Sequence, residues 1–480
     1  MHLEAQTQRR RETVTSRVTR WLAILFPFSM VGSAFGQTML PPPPGFQGAP
    51  SVPQLGVPSG SGPQLNGQVN NEINAGQTTG EGAPATTTGE EGTPAEGNAR
   101  GKGGVGVPTA TESLMQWGVL HLHAAASYQF LYDSEVHTQP GESTATMSHS
   151  FAFPFTALIG PHLTLSYTPS YRIFTAAGFH NTLDHSASLT AGIGYGNWTF
   201  GLSQGFSRTD EPLIETSAQT GQDNYATSVN VGYRLTDKMS LSTSGSMDLN
   251  YLTGNNLTNV FVIGGTNSPA PLANSSKSYS GSEWVNYQID ERLSTGVGIT
   301  FEYSDQSGGF KSIDQQYQAH FSWHSGDKIN FDMMGGLEIQ EFLDTDTPNN
   351  VSPILTATLN YQPLAHTSFS LFADRQVNPS VFEQQISEVT AIGIGFQQRL
   401  LGLLSFSAGF SYSTSDFKVV AGDLTTTRSD RVQAYTTGLS MPILKRGTAS
   451  VFYSYQKDNS SQAGFSFNSS EVGATVSWSY

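Results

Sequence analysis

The residues with catalytic or ligand-binding potential form a short list. The stretch GLSQG, residues 201–205, fits the G-x-S-x-G pattern, in which a strained strand-to-helix turn presents a nucleophilic serine. Here Ser203 lies inside WTFGLSQGFSR, which alternates as a strand, so a small polar wall residue is expected instead. GIGYG (192–196) is rich in glycine but runs into Trp198, whereas a phosphate cradle needs a helix N-terminus. His121 and His123 share one face of an extended segment, and so do His320 and His324. Two such imidazoles could hold a metal, but the sequence supplies no third ligand, and lining of a polar interior is the expected role. DTDTPNN (344–350) offers Asp344, Asp346 and Asn349 as oxygen ligands for Ca²⁺, or is simply a solvated acidic loop. There is no cysteine, and no Walker or H-E-x-x-H motif, so no cofactor, metal or catalytic residue is expected.

A second group consists of isolated charges on otherwise polar faces: Arg172, Arg234, Asp248, Glu302, Asp332, Glu338 and Asp374. Two roles stay open for them. Opposed charges across an aqueous lumen set a transverse field that selects solutes. Alternatively, they hydrogen-bond one another and stiffen a wall.

The elements that must position these residues have a period of two. In HLHAAASYQFLY, Leu120, Leu122, Ala124, Ala126, Tyr128, Phe130 and Tyr132 fall on one face. His121, His123, Ala125, Ser127 and Gln129 fall on the other. LTLSYTPSYRI and MSLSTSGSMDLNYL behave alike, and helical periodicity is absent. Such runs are about twice the usual strand length, and they match the 9–11 residues that a tilted strand needs to cross a bilayer.

Tight turns are expected near Gly160-Pro161, Gly196-Asn197, Thr236-Asp237-Lys238, Asp290-Glu291-Arg292, Gly326-Asp327-Lys328, Pro363-Leu364, Arg399-Leu400 and Lys445-Arg446-Gly447. Longer polar segments, such as 209–223, 253–277 and 342–351, lie between them. Alternating short turns and long loops are the mark of an outer-membrane barrel. The spacing predicts an all-β, transmembrane antiparallel up-and-down barrel of about 18 strands over 116–480, with both ends on the turn side. Tyr132, Trp198, Trp323 and Trp478 are expected in interfacial aromatic girdles. The alternation through EVGATVSWSY implies that the last strand pairs with the first, because a closed sheet has no edge.

The composition agrees. Only 13% of residues are charged and 37% are hydrophobic, while Gly numbers 50. A water-facing surface usually carries about a quarter charged residues. Five arginines precede the apolar run WLAILFPFSMVGSAFG, with Ala34 and Gly36 placed for cleavage, so 1–36 reads as a signal peptide. Residues 37–115 are dominated by Pro, Gly, Thr and Glu and read as a disordered linker. Without 1–36 the chain carries 18 Lys and Arg against 36 Asp and Glu, a net of −18, which argues against nucleic acid as a partner.

The segment RSDRVQAYTTGLSMPILKRGTASVFYSYQKDNSSQAGFSFNSSEVGATVSWSY resembles the last two hairpins of the β-barrel porins often encoded near exopolysaccharide genes. Tyr453, Tyr455, Lys457, Asp458 and Ser460 carry the Y-x-Y-x-(K/R)-x-x-S pattern, and ASYQFLYDSEV is similar to that family's first hairpin. The ending on Trp478 and Tyr480 resembles the signal read by the barrel-assembly machinery, although Phe is the commoner last residue. The resemblance implies a channel-like protein of the Gram-negative outer membrane, in contact with its lipid and lipopolysaccharide, with both termini periplasmic. It would pass small hydrophilic solutes or assist envelope polysaccharide export. A structural or adhesive barrel that binds partners through its loops is the alternative. A hydrolase would need a triad at the outer rim, and none assembles from the sequence.

Overall fold

The computed structural model describes residues 115–480 apart from 140–141, 177–178, 214–217, 254–274, 308–309, 327, 344–346, 380–384, 420–427, 463–465 and 480. The expected signal peptide lies outside the described residues, and so does the expected linker except for Met115, which is already in a strand. Asp344 and Asp346 of the acidic loop, and Tyr480, lie outside them too.

The chain enters through β1 (Met115–Trp117), β2 (Leu120–Gln139), β3 (Glu142–Ala152), β4 (Phe155–Ile159) and β5 (Leu163–Phe174). It continues through β6 (Thr182–Tyr195), β7 (Trp198–Leu213), β8 (Ala218–Arg234), β9 (Met239–Thr253) and β10 (Ser275–Asp290). Next come β11 (Leu293–Gln306), β12 (Lys311–Ser325), β13 (Ile329–Phe342), β14 (Asn350–Leu364) and β15 (Thr367–Pro379). The last are β16 (Gln385–Leu400), β17 (Leu404–Val419), β18 (Arg428–Ile443), β19 (Gly447–Ser460) and β20 (Phe467–Ser479). Consecutive strands pair antiparallel.

β3 and β4 keep one register against β2 and one against β5, so they form a single wall strand interrupted only where Pro154 lacks an N–H. Setting the short β1 aside, the wall has the 18 strands that loop spacing predicts. β20 pairs with β2 from Ala125↔Ser479 to Asp133↔Glu471, and the sheet is closed. β1 pairs with Leu120–Leu122 on the same edge of β2, in line with the end of β20. Both described ends therefore lie on the turn rim.

Closure explains the alternation. One face holds Tyr128, Phe151, Tyr171, Leu202, Val229, Ile299, Leu337, Ile394, Val451 and Val476, and the registers carry that face unbroken around the wall. Many of these side chains stay exposed, Val297 by 62%, because hydrocarbon is their solvent. The other face is mainly Ser, Thr, Asn, Gln, Gly and a few charges, with a few large rings such as Trp284, Phe372 and Phe452 among them. Rings recur eight residues apart along one strand, as in Trp198 and Phe206, Tyr225 and Tyr233, Tyr279 and Tyr287. At about 3.3 Å per residue that is roughly 26 Å along a strand, matching an apolar band of about 25 Å. Trp198 packs on Tyr233 at 4.5 Å and Phe410 on Tyr435 at 4.9 Å, at opposite borders of this band.

The turns fall as spaced, with two shifts: the β14–β15 turn sits at Ala365-His366 and the β16–β17 turn at Leu401–Leu403. Gly160 and Gly196 take φ of 61° and 58° in their turns, which a side chain would oppose. The expected loop 209–223 is a correction. β7 runs to Leu213 and β8 starts at Ala218, so most of that segment is paired strand. Polar sequence beyond the apolar band is still free to form a ladder, and period two alone does not say where hydrocarbon ends. For the same reason strands reach 20 residues, as in β2, and the outward face turns charged near the loop rim. Arg208 approaches Asp223 there at 3.6 Å.

One hairpin end departs from a simple cylinder. Val377 and Ile386 share the register face of Leu371 and Ile394, yet they pack with Phe310 and Phe342. Phe342 lies on the polar, inner face of β13. Ser352 on the inner face of β14 likewise donates to Glu388 Oε1 at 2.9 Å. The end of the β15–β16 hairpin therefore leans over the inner side of β13 and β14.

Candidate functional site: the lumenal wall

The polar face is built by default: whatever is not needed to meet lipid faces water. Serine pairs such as Ser244–Ser282 at 2.7 Å and Ser246–Ser280 at 2.8 Å tie adjacent strands there. Large side chains fit where glycine faces them. Trp284 lies over Gly298, Phe372 over Gly393 and Phe452 over Gly473, each pair on neighbouring strands.

Against this background the charges are few. Asp248, Glu302 and Glu338, on β9, β11 and β13, line one cavity of about 710 Å³, together with Asp314 of β12. Ser278 Oγ donates to Glu302 Oε1 at 2.5 Å, Ser246 Oγ to Asp248 Oδ2 at 3.3 Å and Ser312 Oγ to Asp314 Oδ2 at 3.3 Å. Glu302 and Asp314 are direct register partners. Arg375 also lines the cavity, but its guanidinium reaches Thr390 Oγ1 at 2.9 Å and Glu388 Oε2 at 3.4 Å. Lys418 donates to Glu388 Oε1 at 2.5 Å, so Glu388 holds two cations at the leaning hairpin.

The other sequence candidates sit apart. His121 and His123 lie on the inner face of β2, opposite Leu158 and Thr156, near the turn rim. Arg172, on β5, stands 5.9 Å over the Phe174 ring. Arg234 ends β8, its N–H donating to Asn197 O at 2.9 Å. Neither arginine lines the acidic cavity. His320 Nε2 meets Asn286 Oδ1 at 2.7 Å beside the Trp284 ring, and His324 Nδ1 is 3.4 Å from Ser322 Oγ. Ser322 Oγ donates to Asp332 Oδ1 at 2.5 Å, and Thr356 Oγ1 to Asp374 Oδ1 at 2.8 Å. Thus three of the acids converge, while the histidines and arginines serve separate wall positions. Among the described residues no group of three or more His, Asp or Glu is placed to hold a metal. Ser203 is mid-β7, paired with Thr190 and Ser228, with strand on both sides of it.

Sequence reasoning missed Asp314, although its alternation with His320 and His324 puts it on their face. It also missed Arg375, which register places on the outward face and which only the hairpin's lean brings to the cavity. A third omission is Glu283, outward and midway between Tyr279 and Tyr287, where it accepts from Thr243 Oγ1 at 2.8 Å.

The family model described as "Putative beta-barrel porin 2" matches residues 311–480, which is β12 through β20. Over that stretch the chain matches the model of a β-barrel porin family. No curated protein matches the chain. Among solved structures, the barrel is similar to Pseudomonas aeruginosa OccK2 (OpdF), solved in complex with glucuronate. The identity is 12% and the TM-score 0.43, over 75% of this chain and 97% of that one. It is similar to Acinetobacter baumannii OccAB4 at 10% identity and TM-score 0.41, over 75% and 98%. A bacterial polysaccharide outer membrane secretin shares 11% identity at TM-score 0.33, over 74% and 98%. These values establish nothing beyond a likeness in fold. The wall, apolar outside and closed on itself, is that of an outer-membrane barrel.

Proposed function

We propose that this barrel is an outer-membrane channel through which small hydrophilic solutes diffuse. The observation that carries the reading is the continuous polar inner face, from Gln129 and Ser150 around to Ser450 and Thr475. Barrels of 16–18 strands are wide enough for an aqueous pathway. The leaning end of β15–β16 and the acidic wall opposite it narrow that pathway and set its preference. Assistance to envelope polysaccharide export rests on the sequence resemblance alone. Both termini are assigned to the periplasm, because the short turns and both described ends share a rim. The partners in this reading are outer-membrane lipid and lipopolysaccharide on the apolar band, and the barrel-assembly machinery during insertion.

Planar-bilayer recording of the purified protein tests the proposal. Discrete conductance steps in KCl are the expected result. A correctly folded barrel that passes no current at any voltage would refute it.

A further inference from the structure

Four carboxylates line the cavity inside the wall, those of Asp248, Glu302, Asp314 and Glu338, and none has a salt-bridge partner among the described residues. Glu302 and Asp314 stand directly opposite each other, an arrangement of like charges that costs stability unless something lies between them. The unmet polar atoms point the same way. Asp314 is 7% exposed and its Oδ1 has no hydrogen-bond partner. Gln340, its register partner on β13, is 3% exposed and its Oε1 has none either. Asn250 Oδ1 is a third unpartnered acceptor on a residue lining the cavity. Among the described residues, the buried donors that lack partners, on Gln129, Thr358, Gln456 and Trp478, all lie away from it. The one cation on the cavity wall, Arg375, is engaged by Glu388 and Thr390. The unmet buried polar atoms of the cavity lining are thus all acceptors, and its one cation is already engaged.

We infer that this cavity is a binding station for small organic cations that carry protonated amines. The inference rests on the reading of the barrel as a solute channel. An ammonium group brings three N–H donors and one charge, which is what two opposed carboxylates and a neighbouring amide oxygen lack. A directly ligated metal fits less well, because the described residues hold no group of three ligands placed for one. The cavity, at about 710 Å³, falls in the size range of small-molecule sites. Carboxylates on one side and the occupied Arg375 on the other make the station selective by sign. A solute descending from the loop rim exchanges its hydration for these oxygens and leaves toward the turns.

Two measurements on the full folded barrel in detergent and in bilayers test this. Isothermal titration with 1,4-diaminobutane should show saturable binding, and succinate should show none. Reversal potentials in a KCl gradient should show cation preference. Asp314→Asn with Glu302→Gln should weaken diamine binding at least tenfold and reduce that preference, and Glu338→Gln should act in the same direction. Wild-type protein that binds succinate but not the diamine, or conducts with anion preference, overturns the inference. If no current flows but the diamine binds, the binding station stands and the channel reading fails. If current flows with no diamine binding, the reverse holds.

Discussion

Ser469 Oγ on the last wall strand donates to Asp133 Oδ1 on the first, at 2.6 Å, inside the seam that closes the barrel. Ser469 and Asp133 are almost fully buried there, and Ser134 Oγ accepts from Ser470 N at 2.9 Å on the same seam. The seam is continuous wall, hydrogen-bonded like any other strand pair.

The chain lacks cysteine, so the seam can be locked without background. Gln129 and Thr475 are register partners, and directly opposed antiparallel residues lie within disulfide reach. Gln129→Cys with Thr475→Cys should form an intramolecular bridge in folded protein. Electrophoresis should then show a compact band that survives boiling and disappears on reduction. Absence of the bridge in membrane-inserted protein would contradict closure at this register.

The glycines of the wall differ in what a methyl group would meet. At Gly298 it would strike the Trp284 ring, which can swing aside, whereas at Gly336 it would strike the main-chain carbonyl of Tyr317. Gly298→Ala should cost about 1–3 kcal/mol in urea unfolding from liposomes, largely recovered in combination with Trp284→Leu. Gly336→Ala should cost more and should not be rescued by trimming neighbouring side chains.

Glu388 binds Lys418, Arg375 and Ser352 and so pins the hairpin end that leans inward. Both cations are partly exposed, so the electrostatic contribution is modest. Glu388→Gln should lower stability by about 1–2 kcal/mol. It should also raise single-channel conductance, because the hairpin is released from the wall. Unchanged conductance would mean that the lean does not narrow the pathway.

The period-two pattern made the barrel and its closure legible from the residues alone, because a strand between lipid and water must alternate, and the spacing of turns and loops made its strand number legible. The site was only partly legible. Asp248, Glu302 and Glu338 were visible as charges on a polar face, but their convergence with Asp314 depends on the registers of the consecutive strands β9 to β13, which alternation alone does not set. Arg375 was invisible, because a local lean reverses which solvent its face meets. Glu283 breaks the outward pattern outright. A carboxylate in the apolar band is costly, so Glu283→Leu should raise unfolding stability in bilayers. Loss of assembly instead would mean that the bond from Thr243 to Glu283 is needed to build the wall.

The most direct measurement asks which solvent each face meets. Single cysteines along β11 report it: Val297→Cys and Phe301→Cys on one face, Thr300→Cys and Ser304→Cys on the other. In liposomes, a water-soluble, membrane-impermeant thiol reagent should label the Thr300 and Ser304 variants only. A lipid-soluble quencher should reach fluorophores on the Val297 and Phe301 variants only. Uniform labelling of all four, or the opposite assignment of faces, would contradict a wall with hydrocarbon outside and water within.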